Sequence, residues 1–135
     1  MRLIGLLPAA VAVWAVMRWR PFRVEVAGPS MEPALFAGDW VLATAGGRIE
    51  QGDVVVIRHP ERPGIEMVKR VSGMPGDQVR AGRVLGPGHW FVTGDNPEWS
   101  TDSRSFGPVS REAITGRVRF VYWPPGRIGP VRRRG

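Results

Sequence analysis

Hydrophobic and polar positions follow two different rules along this chain. From Leu3 to Met17 fifteen residues, LIGLLPAAVAVWAVM, pass without a charge, and Arg18-Trp19-Arg20-Pro21 close the run. An unbroken apolar stretch of this length predicts a helix that the proline ends. Fifteen residues rise ~22 Å, short of the ~30 Å hydrocarbon core of a bilayer. Met1 to Trp19, with Arg2 and Arg18 reaching outward, gives ~28 Å, a minimal single span. Trp14 and Trp19 suit an interfacial belt. Two alternatives compete. A cleaved secretory signal would use the small-x-small spacing of Ala10-Val11-Ala12, but that site sits inside the apolar run; a buried core helix also fits the length. The expectation is one N-terminal transmembrane helix anchoring the chain over residues 1–20.

Beyond Pro21 the period changes. Short runs rich in β-branched and aromatic residues predict strands at Arg23–Ala27, Trp40–Thr44, Val54–Arg58, Glu66–Ser72, Gln78–Ala81, Trp90–Thr93 and Gly116–Trp123. Gly46-Gly47, Pro60 to Gly64, Pro75-Gly76 and Gly86-Pro87-Gly88 punctuate them. Only Ser110–Ile114 reads as a helical turn. Strands at this spacing predict a small all-β barrel or sandwich over residues 21–126, followed by an irregular basic tail over 127–135. Trp40, Trp90, Trp99 and Trp123 are candidates either for the core or for an apolar face resting on a bilayer.

A chain of 135 residues holds one domain. The absence of Cys excludes disulfide scaffolds, thiolate zinc sites and cysteine nucleophiles, and two histidines, His59 and His89, are too few for a His-rich metal centre. No metal and no cofactor are expected. The net charge of +7 is unevenly distributed: Val24 to Gly126 holds ten Arg and one Lys against twelve Asp and Glu. The excess comes from Arg2, Arg18, Arg20 and Arg23 in front and Arg127, Arg132, Arg133 and Arg134 behind. A neutral body with basic ends suits a membrane surface better than a nucleic-acid groove, so a lipid bilayer is an expected partner and nucleic acid is not.

Eighteen Arg and a single Lys is the most informative count in the sequence. Arg cannot be deprotonated in a protein, whereas an ammonium in apolar surroundings loses hydration and its pKa falls, making a neutral amine accessible. Strand alternation puts Ile65, Met67, Lys69 and Val71 on one face, with Glu66 and Arg70 on the other. Lys69 is therefore a candidate general base, against the plainer reading of a chance surface lysine. Its candidate nucleophile is Ser30 in Gly28-Pro29-Ser30-Met31-Glu32-Pro33, a loop stiffened by proline, where the Ser30 backbone N–H would help hold an oxyanion. A serine in such a loop is ordinarily a turn residue, and it is the pairing with Lys69 that raises it. His59 beside Pro60 and His89 in a Gly/Pro turn read as loop histidines, and no glycine pattern cradles phosphate.

These residues resemble those of a known family. Gly28-Pro29-Ser30-Met31-Glu32-Pro33, Gly52-Asp53-Val54-Val55-Val56, Lys69-Arg70-Val71-Ser72-Gly73-Met74-Pro75-Gly76-Asp77 and Gly94-Asp95-Asn96-Pro97-Glu98-Trp99-Ser100-Thr101-Asp102-Ser103-Arg104 look like the successive motif blocks of signal peptidase I, in the family's order. The resemblance spans roughly Val24 to Val121. It implies a signal-peptidase-like β-barrel, Ser30 as nucleophile and Lys69 as general base. It also implies that Ser100 orients the amine, that Asp102 and Arg104 pair to brace the site, and that Asp95 and Asn96 shape the loop around it. Val24, Val26, Met31 and Leu35 would line a shallow pocket for small side chains. The chain departs from the family pattern at Ala34 and Pro97, where Thr and Arg are frequent. It departs again at Gly28, where some members carry a serine that donates to the oxyanion. Only sixteen residues separate Asp77 from Gly94, so the large extra β-domain of some relatives is missing.

The resemblance implies a membrane-anchored serine endopeptidase that cleaves N-terminal signal or targeting peptides after small residues, binding precursor proteins as an extended strand. One alternative keeps the chemistry in a cytoplasm-facing maturation protease for a single precursor, such as that of nickel superoxide dismutase. The arginine count around the anchor leans that way. A non-enzymatic alternative is a basic-ended, membrane-tethered binding domain, for which deleting the last four residues would abolish binding; under the peptidase reading that deletion would leave catalysis nearly unchanged. The expected location is the plasma membrane, single-pass, with the catalytic domain on the extracytoplasmic side.

Overall fold

Arg20 divides the computed structural model, which describes residues 6–134, into a helix and a β-body. Helix α1, Leu6–Trp19, ends where Arg20 enters the left-handed region (φ 44°), donates its N–H to the Val16 carbonyl at 2.9 Å and hands the chain to Pro21. Val11, Val13, Trp14, Val16 and Met17 on α1 are all more than half exposed, so it is not a core helix. Its 14 residues rise ~21 Å. Among the described residues no helix is long and apolar enough to cross a membrane, and Met1–Gly5 of the expected anchor lie outside the described residues.

The body is one antiparallel sheet. Strands β1 (Pro21–Glu25), β2 (Trp40–Thr44), β3 (Val54–Arg58), β4 (Glu66–Gly73), β5 (His89–Thr93), β6 (Val109–Ser110) and β7 (Ile114–Trp123) lie in the order β1-β2-β7-β3-β4-β5-β6. A short β8, Gly129–Pro130, adds to β7. The all-β expectation agrees with this architecture. β3 reads as an uninterrupted apolar run because both its faces are covered. Val54 and Val56 belong to one core with Met31, Leu35, Val41 and Val118, while Val55 and Ile57 belong to a second with Val71, Val92 and Ile114.

Several segments differ from their sequence expectation: β1 lies two residues earlier than Arg23–Ala27, β6 was not expected, and three others differ in kind. Gln78–Ala81 is not a strand: Val79 N–H meets the Arg83 carbonyl at 2.8 Å around Gly82 (φ 73°), leaving a single bridge between Gln78 and Val84 and a 3-10 turn at Arg80–Gly82. With no neighbour beyond itself, the run cannot extend into a sheet. A one-turn helix α2, Ser103–Phe106, follows Asp102, whose carboxylate accepts the Arg104 N–H as an N-cap, and stops at Gly107 (φ 84°). The tail is not irregular throughout, since β8 pairs with β7, Arg127 reaches Asp39 at 2.8 Å and Arg133 reaches Asp53 at 2.7 Å.

Ile57 is fully buried at the end of a strand covered on both faces. Ile57→Ala is expected to cost about 2–5 kcal/mol and Ile57→Val about 0.5–1.5 kcal/mol in chemical denaturation. Equal costs for the two variants would contradict the two-sided core.

Candidate active site

The two residues that matter most come from separate elements and line one cleft of about 350 Å³. Ser30 follows β1 through Gly28, whose φ of 101° places it in the region that favours glycine. The chain then takes a helical turn in which Leu35 N–H meets the Met31 carbonyl at 3.0 Å, and both side chains sink into the first core. That burial anchors the loop and leaves Ser30 half-buried at the cleft. Lys69 comes from the middle of β4, opposite Val55 on β3, and only 3% of it is exposed. Its Nζ lies 2.8 Å from Ser30 Oγ. With a neutral amine the serine hydroxyl donates across this distance; with an ammonium the direction reverses.

Burial pushes the Lys69 pKa down from 10.5, because an ammonium enclosed here loses its water. The Asp102 carboxylate opposes this, and the Arg104 guanidinium adds to the lowering.

Asp102 accepts five hydrogen bonds among the described residues. Its Oδ1 takes Arg104 Nε at 2.9 Å and the Arg104 N–H at 3.1 Å. Its Oδ2 takes Arg104 Nη2 and Ser100 Oγ at 2.7 Å each and the Gly94 N–H at 2.9 Å. Full burial works against the charge, but these donors, Arg104 foremost, outweigh it and hold the carboxyl at about 2. The Asp102–Arg104 pair expected from the sequence is thus in contact and buried on its acidic side. The Ser100 hydroxyl donates to Asp102, and among the described residues no hydrogen bond joins it to Lys69. An ionised carboxylate is a strong acceptor for this proton, and the bond leaves the lone pairs of the Ser100 oxygen free.

Asp95 and Asn96 sit against the Ser30 loop. The Asn96 N–H donates to the Ser30 carbonyl at 2.9 Å, and Asn96 Nδ2 to the Pro29 carbonyl at 3.2 Å. A side chain on Gly94 would run into Ser100 Oγ and the Ser30 carbonyl, so this close approach requires glycine. Of the four pocket residues expected, Val24, Val26 and Met31 line the cleft; Leu35 does not, because the helical turn directs it into the first core. Gly28 supplies a backbone turn and no donor side chain. His59 lies outside this cleft, its Nδ1 accepting the Glu61 N–H at 3.1 Å; His89, expected in a loop, is instead the exposed first residue of β5, paired with Ser110 on β6.

Sequence reasoning missed Arg70. It does point away from Lys69, as alternation requires, but into protein: it is 8% exposed and grips Asp95 with two bonds of 2.8 Å. The sequence offers only its position next to the lone Lys; its burial and its reach to Asp95 depend on the fold.

A serine hydroxyl held against a buried amine on an antiparallel β-scaffold has the layout of a hydrolytic site. The family described as "Signal peptidase, peptidase S26" matches residues 1–85 and 79–123, and the chain belongs to it. It is 40% identical over 124 residues to the mitochondrial ATP-independent inner membrane protease subunit 1a of Arabidopsis thaliana, covering 80% of this chain and 74% of that protein. It is 36% identical over 122 residues to the mitochondrial inner membrane protease subunit 1 of Xenopus tropicalis (81% and 73% covered). To subunit 2 from Saccharomyces cerevisiae (strain ATCC 204508 / S288c) it is 33% identical over 123 residues (78% and 70%). These relatives are named for the mitochondrial inner membrane, which overturns the expectation of a plasma-membrane protein with an extracytoplasmic catalytic domain.

A folded-state pKa of about 2 for Asp102, against an ordinary 3.8, makes its contribution to stability complete above the ordinary value and lost as pH falls towards the folded one. The amount is about 2 kcal/mol. Urea denaturation between pH 6 and pH 2.5 is expected to show a steeper acid loss in the parent chain than in Asp102→Asn; equally steep curves would contradict this.

Proposed function

We propose that the chain is a serine endopeptidase that cleaves signal or targeting peptides after small residues, with Ser30 as nucleophile and Lys69 as general base. The observation that carries this reading is the 2.8 Å contact between a buried lysine amine and the Ser30 hydroxyl. In the proposed reaction the neutral amine takes the Oγ proton as Oγ attacks the scissile carbonyl. The Ser30 N–H stabilises the oxyanion, and the lysine ammonium then protonates the leaving amine. Water, deprotonated by the same amine, attacks the acyl carbonyl, and the resulting ammonium returns its proton to Ser30 Oγ as the acyl–oxygen bond breaks. Asp102 and Arg104 brace the loop beside Lys69 without touching substrate.

Two free strand edges support an extended substrate. β1 is the end strand of the sheet, and β4 pairs with β5 only from Arg70 onward, so Glu66 to Lys69 have one open side. A peptide laid between them gains backbone hydrogen bonds from both, with Val24, Val26 and Met31 leaving room for small side chains. The exposed apolar side of α1, together with exposed Trp99 and Trp123, supports action at a membrane. The non-enzymatic tether loses support because Arg127 and Arg133 of the basic tail are engaged with Asp39 and Asp53. No feature of the cleft singles out one precursor.

With a quenched peptide carrying Ala at alternate positions on the acyl side, Ser30→Ala and Lys69→Ala are each expected to lower kcat by at least about 10³-fold, with folding retained by circular dichroism. Lys69→Arg fails as well, since a guanidinium stays charged. In the parent chain kcat/KM rises with pH along a limb below the ordinary lysine value of 10.5. Cleavage by Ser30→Ala at the parent rate would sink the proposal.

A further inference from the structure

Past β8 the chain crosses the Gly52–Asp53 corner that leads into β3. Val131 donates its N–H to the Arg119 carbonyl at 2.9 Å and packs on the first core. The next three residues each make a contact. Arg133 places Nε 2.7 Å from Asp53 Oδ1 and Nη1 2.7 Å from Glu50 Oε2. The Arg134 N–H donates to the Gly52 carbonyl at 3.1 Å. The Arg132 carbonyl accepts Arg70 Nη1 at 3.1 Å, and the same nitrogen reaches the Gly52 carbonyl at 2.8 Å.

Arg70 therefore joins the tail to the active site. One edge of its fork holds the Arg132 and Gly52 carbonyls, and the other holds Asp95. Asp95 precedes Asn96, which holds the carbonyls of Pro29 and Ser30. Lys69 is the immediate neighbour of Arg70 on β4. A buried guanidinium that loses an acceptor must reorient or admit water, and either change loosens the Asp95–Asn96 grip on the nucleophile's loop. An independent feature agrees with this path. Gly52 has φ 84°, and a Cβ there would overlap the backbone of Arg134, so the corner is shaped to receive the tail.

We infer that Arg132–Arg134 form a latch that holds the Ser30 loop in register with Lys69 through Arg70, with Arg133 as the positioning residue that pins the latch. This rests on the Ser30/Lys69 reading above. It runs against the sequence expectation that the last four residues are dispensable for catalysis.

The test uses the full chain and the quenched Ala-containing peptide, with Ser30→Ala measured alongside. Arg133 is 42% exposed in its side chain, so Arg133→Ala leaves no core cavity. It is expected to lower kcat about tenfold, with KM within about twofold; the thermal midpoint falls, because Asp53 loses a cation at 2.7 Å, but the chain stays fully folded at the assay temperature. Arg133→Lys, which keeps a cation beside Asp53, restores most of the rate. Gly52→Ala is expected to reproduce the kcat loss by displacing the tail. Parent-like kcat in Arg133→Ala while Ser30→Ala is inactive overturns the latch alone. A loss that follows the unfolded fraction, or that lysine does not restore, overturns the positioning role. Parent-like cleavage by Ser30→Ala overturns the dyad and the latch together.

Discussion

Water is kept from one amine, and the surrounding structure is arranged to tolerate that. An ammonium is strongly hydrated, and enclosing it at 3% exposure favours the neutral form. The fold supports the burial with β3: because that strand is apolar on both faces, its partner β4 can carry Lys69 opposite Val55 without a wet side. The nearest carboxylate, Asp102, would normally pull the amine back to its charged form. Arg104 and Ser100 occupy that carboxylate, and Arg104 itself disfavours a second cation nearby. Burial keeps the largest influence, so the direction of the Lys69 shift is downward.

Such a group weakens the fold it sits in. A lysine whose folded pKa lies below its unfolded 10.5 disfavours folding while the unfolded chain takes up the proton more readily, and the penalty fades as pH rises towards that value. Asp102 acts in the opposite sense, stabilising wherever it is ionised. The buried pair Arg70–Asp95 and the tail contacts at Gly52 and Asp53 add fixed geometry around both. Stability and site geometry thus draw on the same charged groups, and neither is confined to the apolar cores.

Much of this arrangement was legible in the residues. β2 and β3 fall on their expected bounds, because both are short apolar runs rich in β-formers and closed by turn residues. The single Lys among eighteen Arg pointed to Lys69, and its contact with Ser30 spans 39 positions that no local pattern could join. What stayed hidden depended on distant partners. Arg70 was placed on the face opposite Lys69, but alternation gives a side and not what covers that side. Leu35 looked like pocket because its helical turn is invisible in a Gly/Pro loop. Gln78–Ala81 looked like a strand because local β-preference does not say whether a neighbouring strand exists. The apolar run at the start gave a helix, yet its described length is 14 residues and its side chains are exposed.

With only one lysine in the chain, a sample labelled with ¹³C-lysine gives a single ε-carbon signal that reports Lys69 directly. Followed by NMR from pH 5 to pH 12, that signal is expected to titrate below 10.5 and to shift its midpoint in Ser30→Ala. A midpoint at the ordinary lysine value, unmoved by the serine substitution, would contradict a buried amine working on a neighbouring hydroxyl.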